Sequence, residues 1–348
     1  MEVLVINCGS SSLKFQLINS DSEKVLAKGL CERIGIDGSS ITYQSDNCPK
    51  FTKGIDMPTH NEAISAVIGA LTDKDTGVIS DMDEVKAVGH RVVHGGEFFK
   101  ESAVVTEDVI EKIKQCNYLA PLHNPANIIG IKACMKIMKN TPNVVVFDTA
   151  FHQTMPAEAY MYGIPYEWYE KYGIRRLGYH GASHEYISDT VAEKYGSTGK
   201  TISCHLGGSC SLCAIDDGRS VDTSFGISLQ VGINNSNRCG DIDPFIIPFL
   251  QKEGMDLDDV LYGLTKNGGL QGISGVSNDL RLVEEAAAEG NERAKLAVDI
   301  FCNDIVRYIG MYYAELGGLD HLVFTAGIGE HNANIRAKVC GKLAHMGI

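Results

Sequence analysis

No apolar run in this 348-residue sequence approaches the roughly 20 residues that a membrane-spanning helix needs, so no such span is expected. Positive charge is in deficit too. Against 44 acidic residues stand 31 lysines and arginines, and the net charge of −13 argues against a nucleic-acid partner or an anionic membrane surface. Any phosphate must then be gripped by local geometry rather than by overall attraction. No low-complexity linker interrupts the chain, and its composition is that of a globular protein. Met1-Glu2-Val3 carries neither a basic segment nor a cleavage site. The 11 cysteines are odd in number and scattered, so we read a cytoplasmic protein whose thiols are small core fillers. Cys210-Ser211-Leu212-Cys213 is formally a C-x-x-C, but it has no second pair. Residues i and i+3 of a strand also face opposite sides, so no metal or redox role is expected there.

What the chain does have, it has twice. Cys8-Gly9-Ser10-Ser11-Ser12-Leu13 follows the apolar run Val3–Ile6, and Gly207-Gly208-Ser209-Cys210-Ser211-Leu212 follows Thr201–Leu206. Each runs on into a further β-like stretch, Lys14–Ile18 and Cys213–Ile215. Two strand-turn-strand units imply two similar halves, and the length also favours two domains. The duplication puts the boundary near residue 150, giving domains 1–150 and 151–348. Turns built of glycine and serine offer backbone N–H groups and hydroxyls where a larger side chain would crowd, which suits phosphate oxygens.

Strand-like and helix-like stretches alternate between these landmarks, as in an α/β fold. Helices are expected over Glu62–Leu71, Val109–Cys116 and Asn127–Ile137, with Pro121 and Pro125 breaking the loop between the last two. Strands are expected over Val85–Val93 and Asn143–Phe147, the latter buried. A polar, Gly/Asn-rich segment spans Ser224–Asp243. Two helices follow, Asp279–Gly290 and Asn291–Leu316, the second burying Leu296, Ala297, Ile300, Phe301, Ile305 and Ile309 and stopped by Gly317-Gly318. A buried strand, His321–Thr325, then opens into an Ala326–Glu330 loop and a final helix, Asn334–Leu343.

Several clusters carry chemistry. Asn7, Ser10, Ser12 and Lys14 set an amide, two hydroxyls and an ammonium around the first turn. The Gly327-Ile328-Gly329 loop lies between a strand and a helix, where helix N–H groups point at an anion. Three glycine-bearing turns after three strands favour nucleotide phosphates over ordinary turns. In Gly89–Gly96, Arg91 and Val93 share one face, giving a cationic fork beside an apolar wall that suits a short carboxylate. On the other face His90 and His94 read as packed side chains more readily than as metal ligands. Asp148 stands at the end of a buried strand, where α/β proteins place functional groups, and a cap is the alternative. His180, in Gly178-Tyr179-His180-Gly181, and Arg238, in Asn237–Pro244, each put a cation-capable side chain beside glycine in a loop.

With these residues set out, the chain closely resembles the acetate kinases, members of the duplicated sugar-kinase/hexokinase/actin group. The similarity runs from residue 2 to the last. It is most specific in Val5–Lys14, Val88–Gly96, Leu119–Pro125, Phe147–Pro156 and Phe324–Glu330. The resemblance implies a ribonuclease H-like fold in each half, with a cleft between the domains, and reversible phosphoryl transfer from ATP to acetate, giving acetyl phosphate and ADP, with propionate or another short acid as alternative. It implies that Asn7 helps hold Mg2+, and that Ser10, Ser12 and Lys14 touch ATP. Arg91 would hold the acyl group in a pocket of Val93, Leu122, Tyr179 and Leu229. Asp148, His180 and Arg238 would be catalytic with Arg91. The nucleotide would lie against His205, Leu206, Gly207, Gly208 and Ser209, against Asp279, Leu280 and Arg281, and against Gly327, Ile328, Gly329, Glu330 and His331. A homodimer is implied as well.

The physics of the reaction agrees. It joins two anions, and unit charges ~4 Å apart repel by roughly 4 kcal/mol at an effective dielectric of ~20. Cations and positioning are what phosphoryl transfer needs. A short carboxylic acid, with a pKa near glutamate's ~4.3, is already ionised at pH 7 and needs no base, so Asp148 is expected to orient the metal or substrate network.

Departures from the family pattern are specific. Its His-Leu-Gly-Asn-Gly-Ser-Ser hairpin reads His205-Leu206-Gly207-Gly208-Ser209-Cys210-Ser211 here, so phosphate contacts are expected to differ. Leu229 stands for a pocket proline, and His331 for an asparagine. The family's closing Asn-Glu-Glu magnesium motif is not found within this sequence. A fragment of a longer chain, a compromised metal site and a non-catalytic nucleotide binder are the readings this raises.

Overall fold

Strand β1 (Glu2–Cys8) turns through Gly9 into antiparallel β2 (Ser12–Asn19), with Asn7 opposite Lys14 and Cys8 opposite Leu13. The computed structural model describes residues 1–121 and 123–348, and the chain divides into two units, Met1–Ala150 and Phe151–Ile348. In the first, β3 (Lys24–Glu32), β4 (Ser40–Ser45) and β5 (Cys48–Gly54) continue the antiparallel meander. Helix α1 (His60–Leu71) starts at a Thr59/Glu62 capping box and leads to β6 (Val85–Val92), parallel to β1. After β7 (Ala103–Val104), α2 (Glu107–Gln115) and α3 (Asn124–Ile137), β8 (Asn143–Phe147) joins parallel to β6. The sheet order is β5-β4-β3-β2-β1-β6-β8-β7.

Alternation in sequence decides which face is covered. Leu13, Phe15 and Leu17 are buried while Lys14 and Gln16 between them are exposed. They join Leu4 and Ile6 of β1 and Ile64, Val67 and Leu71 of α1 in one core, at about 1.5–3 kcal/mol for each fully buried aliphatic side chain.

The second unit begins with helices α4 (Ala157–Tyr160), α5 (Tyr166–Tyr172) and α6 (Gly181–Tyr195). Strands β9 (Lys200–Leu206), β10 (Cys210–Asp216) and β11 (Arg219–Thr223) form its meander. Helices α7 (Ile246–Lys252), α8 (Leu257–Lys266), α9 (Gly269–Ser274), α10 (Leu280–Ala288) and α11 (Glu292–Leu316) follow. Strand β12 (His321–Thr325) then lies parallel to β9, before α12 (Ala326–His331) and α13 (Ala333–Leu343). The order β11-β10-β9-β12 repeats β3-β2-β1-β6 of the first unit: a meander whose first strand takes a parallel neighbour. The duplicated ribonuclease H-like fold is present in both halves.

Some expectations need correction. The two hairpin turns differ: four residues separate Cys8 from its partner Leu13, but three separate Leu206 from Cys210. The matching letters therefore do not occupy matching ladder positions. Helix α3 starts at Asn124, with Pro125 in its first turn, because proline's missing N–H is one that the first turn leaves unbonded anyway. On α11 the buried stripe is Ala294, Ala297, Val298, Phe301, Cys302, Ile305, Ile309, Tyr312 and Leu316. Leu296 is exposed and Ile300 only half-buried, because both lie off that stripe. Strand β12 is half-buried throughout, and the expected Ala326–Glu330 loop is the short helix α12.

Candidate active site

Strands β1, β6 and β8 run parallel, so their C-terminal ends bring Asn7, Arg91 to Val93 and Asp148 to one edge of the first unit. The first turns of α3 fasten that edge. Asn127 Nδ2 donates to the Cys8 carbonyl (2.7 Å) while its Oδ1 accepts from Val93 N (3.2 Å). Asn124 does the same for both backbone groups of His94, at 3.1 and 2.9 Å. Neither asparagine was singled out in the sequence; their spacing of three at a helix start, after Pro-Leu-His, was the available signal.

Arg91 grips Asp148 through two bonds, Nε to Oδ1 at 2.9 Å and Nη2 to Oδ2 at 2.6 Å. Asp148 is buried, whereas the Arg91 side chain stays 41% exposed. The bonded carboxylate, and then its charge, push the Arg91 pKa above its ordinary value. Val93 is buried nearby in sequence, and Leu122 lies outside the described residues. His90 and His94 are both buried. The His90 ring bonds Asn143 Oδ1 (2.7 Å), and His94 Nδ1 accepts from Gly96 N (2.9 Å). Burial pushes each pKa down to about 4, so both are neutral packed rings at pH 7.

In the hairpin turn Ser10 is exposed and Ser12 half-buried, and the His60 ring braces the Gly9 carbonyl at 2.9 Å. Asn7 and Lys14, paired across β1 and β2, line an open concavity of about 580 Å³ on the sheet face with Val5, Gln16 and Lys28.

The second unit holds a larger cavity, about 820 Å³. Because β9 and β12 are parallel, the turns that follow them meet there. Gly207, Gly208, Asp279, Leu280, Arg281, Gly327, Ile328 and His331 line it, eight of the residues singled out in the sequence. A Cβ on Gly327 would meet no protein atom within 4 Å, and one on Gly208 only Ser236 Oγ at 3.7 Å. Neither packing nor backbone angle demands glycine at these two positions; what glycine provides is bare backbone facing the cavity. Gly329 is different. Its Cβ would sit 3.2 Å from the Phe324 carbonyl carbon, so it lets α12 pack tightly on its strand. Asp279 caps α10, accepts from Arg281 N (3.0 Å) and holds the exposed Arg281 guanidinium. Among the lining residues that sequence reasoning missed are Ser236, Asn278 and Asn332; only their position in Asn/Ser-rich flanks pointed to them.

His205, Leu206, Ser209, Gly329 and Glu330 do not line this cavity. Leu206 belongs to the core, and Glu330 is exposed with its carboxylate 4.0 Å from His331 Nε2. Ser209 Oγ accepts from Arg238 Nη1 at 2.9 Å, and burial lowers the Arg238 pKa. His205 joins a buried cluster of rings and hydroxyls. Its ring stacks on His180 with centroids 4.1 Å apart, and its Nδ1 lies 2.8 Å from Ser183 Oγ. His180 precedes α6 in the left-handed region (φ 58°), a conformation costing a non-glycine residue on the order of 1 kcal/mol and common at functional sites. Tyr179 is buried, with its hydroxyl donating to the Ile227 carbonyl (2.7 Å). Leu229 lies half-buried in the irregular segment beyond. The two C-x-x-C thiols have different surroundings: Cys210 Sγ approaches the Gly207 carbonyl, and Cys213 Sγ the His152 ring and Ser220.

Comparison with known proteins follows the same lines. A family model described as the acetokinase family matches residues 2–348. The acetate kinase of Agathobacter rectalis is 54% identical over 352 residues, covering 100% of this chain and 88% of that protein. The crystal structure of Porphyromonas gingivalis acetate kinase matches with a TM-score of 0.96 at 42% identity, covering 100% and 88% of the two chains. A propionate kinase structure from Francisella tularensis gives 0.92 at 41% identity, covering 99% and 88%.

Proposed function

The chain belongs to the acetokinase family, and from that premise we propose that it is an acetate kinase, moving the γ-phosphoryl group of ATP reversibly to acetate to give acetyl phosphate and ADP. The observation that carries this reading is similarity to an acetate kinase along the whole of this chain, at 54% identity. The cavity of bare glycines supports it, since backbone that no side chain covers lets phosphate oxygens approach closely.

We assign the nucleotide to the cavity of Gly207, Gly208, Asp279 to Arg281, Gly327, Ile328 and His331, with Gly329 and Glu330 in the helix beside it. His205, Leu206 and Ser209 would back it, and Ser10, Ser12 and Lys14 would touch its phosphates. Acetate goes to Arg91, against Val93, Leu122, Tyr179 and Leu229. Arg238 and His180 would act on the transferring group. Asp148 presents the Arg91 fork; acetate is already ionised at pH 7, so the reading needs no general base. That role is consistent with its two bonds to Arg91.

Magnesium fits as an ion carried by the nucleotide. Among the described residues no three His, Cys, Asp or Glu side chains could cage a cation, whereas Asn7 can lend one amide oxygen beside Lys14. When bound, the ion offsets charge on the β and γ oxygens. A cytoplasmic homodimer completes the reading, and light scattering of the full chain checks the dimer.

The test is direct. The full chain with ATP, magnesium and acetate should yield ADP and hydroxylamine-trapped acetyl phosphate in equal amounts. ATP binding without acetyl phosphate would sink the reading and leave a nucleotide-binding relative. A propionate kinase is the second reading, favoured by the Francisella match. Comparing kcat/KM for the two acids separates them, because one methylene is worth about 1–3 kcal/mol.

A further inference from the structure

Beside His180 lies a fully buried histidine that the proposed chemistry does not use. His184 sits in the first turn of α6, with Nδ1 2.9 Å from Ser203 Oγ and Nε2 2.9 Å from Ser211 Oγ. The same Ser211 oxygen lies 2.8 Å from His180 Nδ1. Four groups therefore form one line: Ser203, His184, Ser211, His180. Ser203 and Ser211 are themselves fully buried.

The direction of the protons along this line can be counted. A neutral imidazole has one N–H and one acceptor nitrogen, and a hydroxyl has one proton to give. If His184 carried its proton on Nδ1, the Ser203 hydroxyl proton would have no acceptor among the described residues, and an unmade buried donor is costly. If it carries the proton on Nε2, every proton in the line finds an acceptor. Ser203 then donates to His184, His184 to Ser211, and Ser211 to His180.

We propose that His184 is a positioning residue for His180: through Ser211 it holds His180 as the neutral tautomer, with Nδ1 accepting and the ring proton on Nε2. His180 then meets the transferring phosphoryl group as an N–H donor and not as a cation. The proposal rests on the reading that His180 acts on that group. Charging His180 would require a proton on Nδ1, which would either reverse the line and orphan the Ser203 proton or leave Ser211 accepting from both rings with no acceptor in the line for its own proton.

The surroundings agree. His184 is held well below the ordinary imidazole range, first by burial and then by the neighbouring His152, His205 and His180. Among the described residues, the titratable groups facing the pair include the His205 ring stacked on His180 and the His152 ring 5.7 Å from His184. Two stacked imidazolium rings would repel, so neutrality suits the stack as well.

The test is nitrogen NMR of the full chain with 15N-labelled histidine, near pH 7, with His180 assigned by the His180→Asn variant. Unprotonated Nδ1 with protonated Nε2 is expected; a protonated Nδ1 overturns the relay. Ser211→Ala should equalise the two tautomers and lower kcat about tenfold, with KM for ATP and acetate unchanged. Unchanged kcat in that variant also overturns the relay, and the wild-type spectrum decides if the variant folds poorly. His180→Ala tests the underlying reading separately. Unchanged turnover there removes His180 from the chemistry whatever its tautomer, whereas lowered turnover with a protonated Nδ1 overturns the relay alone.

Discussion

Arg91 and Asp148, 57 positions apart in sequence, meet as a two-bonded ion pair at the ends of neighbouring parallel strands. The carboxylate is buried and the guanidinium faces outward in part, so the pair presents a cation with a fixed plane. Arg91→Lys keeps the charge but loses the fork. It should raise KM for acetate at least tenfold and leave ATP affinity unchanged. Asp148→Asn should raise the same KM by loosening the fork, with melting temperature as the control. An unchanged acetate KM in Arg91→Lys would contradict the assignment.

Arg238 is half-buried, and its one described side-chain bond is to the neutral Ser209 hydroxyl, which leaves its charge available for a phosphoryl group. Arg238→Ala should lower kcat by about 10²–10³, as loss of a charge-stabilising donor does, with little change in ATP affinity. Single-turnover kinetics reads this out, and unaltered turnover removes Arg238 from the mechanism.

Two glycines predict opposite outcomes. At Gly327 an added methyl meets no protein atom, so Gly327→Ala should keep the melting temperature yet weaken ATP binding at least tenfold. At Gly178 (φ +74°) it would lie 2.5 Å from Thr223 Cγ2 and 2.6 Å from His152 Cδ2, in a backbone region that alanine avoids. Gly178→Ala should cost about 1–3 kcal/mol of stability. Calorimetry and titration of both variants check the contrast, and equal behaviour would refute it.

Much of this was legible in the sequence because it is local. Alternating burial in β2, the Gly/Ser turns and the asparagine that starts α11 are each fixed by neighbours in the chain. The α11 stripe was misread at Leu296 because helical periodicity gives the spacing but not which residues start it; Ala294 and Val298 take the inner face. What could not be read depends on distant segments. The cavity needs β9 beside β12, and the His184 relay needs α6 laid against β9 and β10.

Stability should depend on pH through the buried rings. His90, His94 and His152 are each held down to about 4 by burial, against an ordinary 6.5. Between those values the unfolded chain binds protons that the fold refuses. The stability they contribute is therefore complete above about pH 6.5 and is lost as pH falls towards 4, at about 1.4 kcal/mol per pH unit for each ring. Urea unfolding midpoints should drop clearly from pH 7.5 to 5.5, and His90→Gln should lessen the drop. A midpoint independent of pH over that window would contradict it.

The paired glycine turns of the second unit are the centre of the account, as the seat of the nucleotide. A crystal structure of the full chain with a non-hydrolysable ATP analogue, magnesium and acetate tests this most directly. The account predicts phosphate oxygens within hydrogen-bond distance of backbone N–H groups of the Gly207-Gly208 turn, and the nucleoside against Asp279 to Arg281 and Gly327 to His331. A nucleotide seated instead on the open sheet face of the first unit, along Gln16 and Lys28, would contradict it.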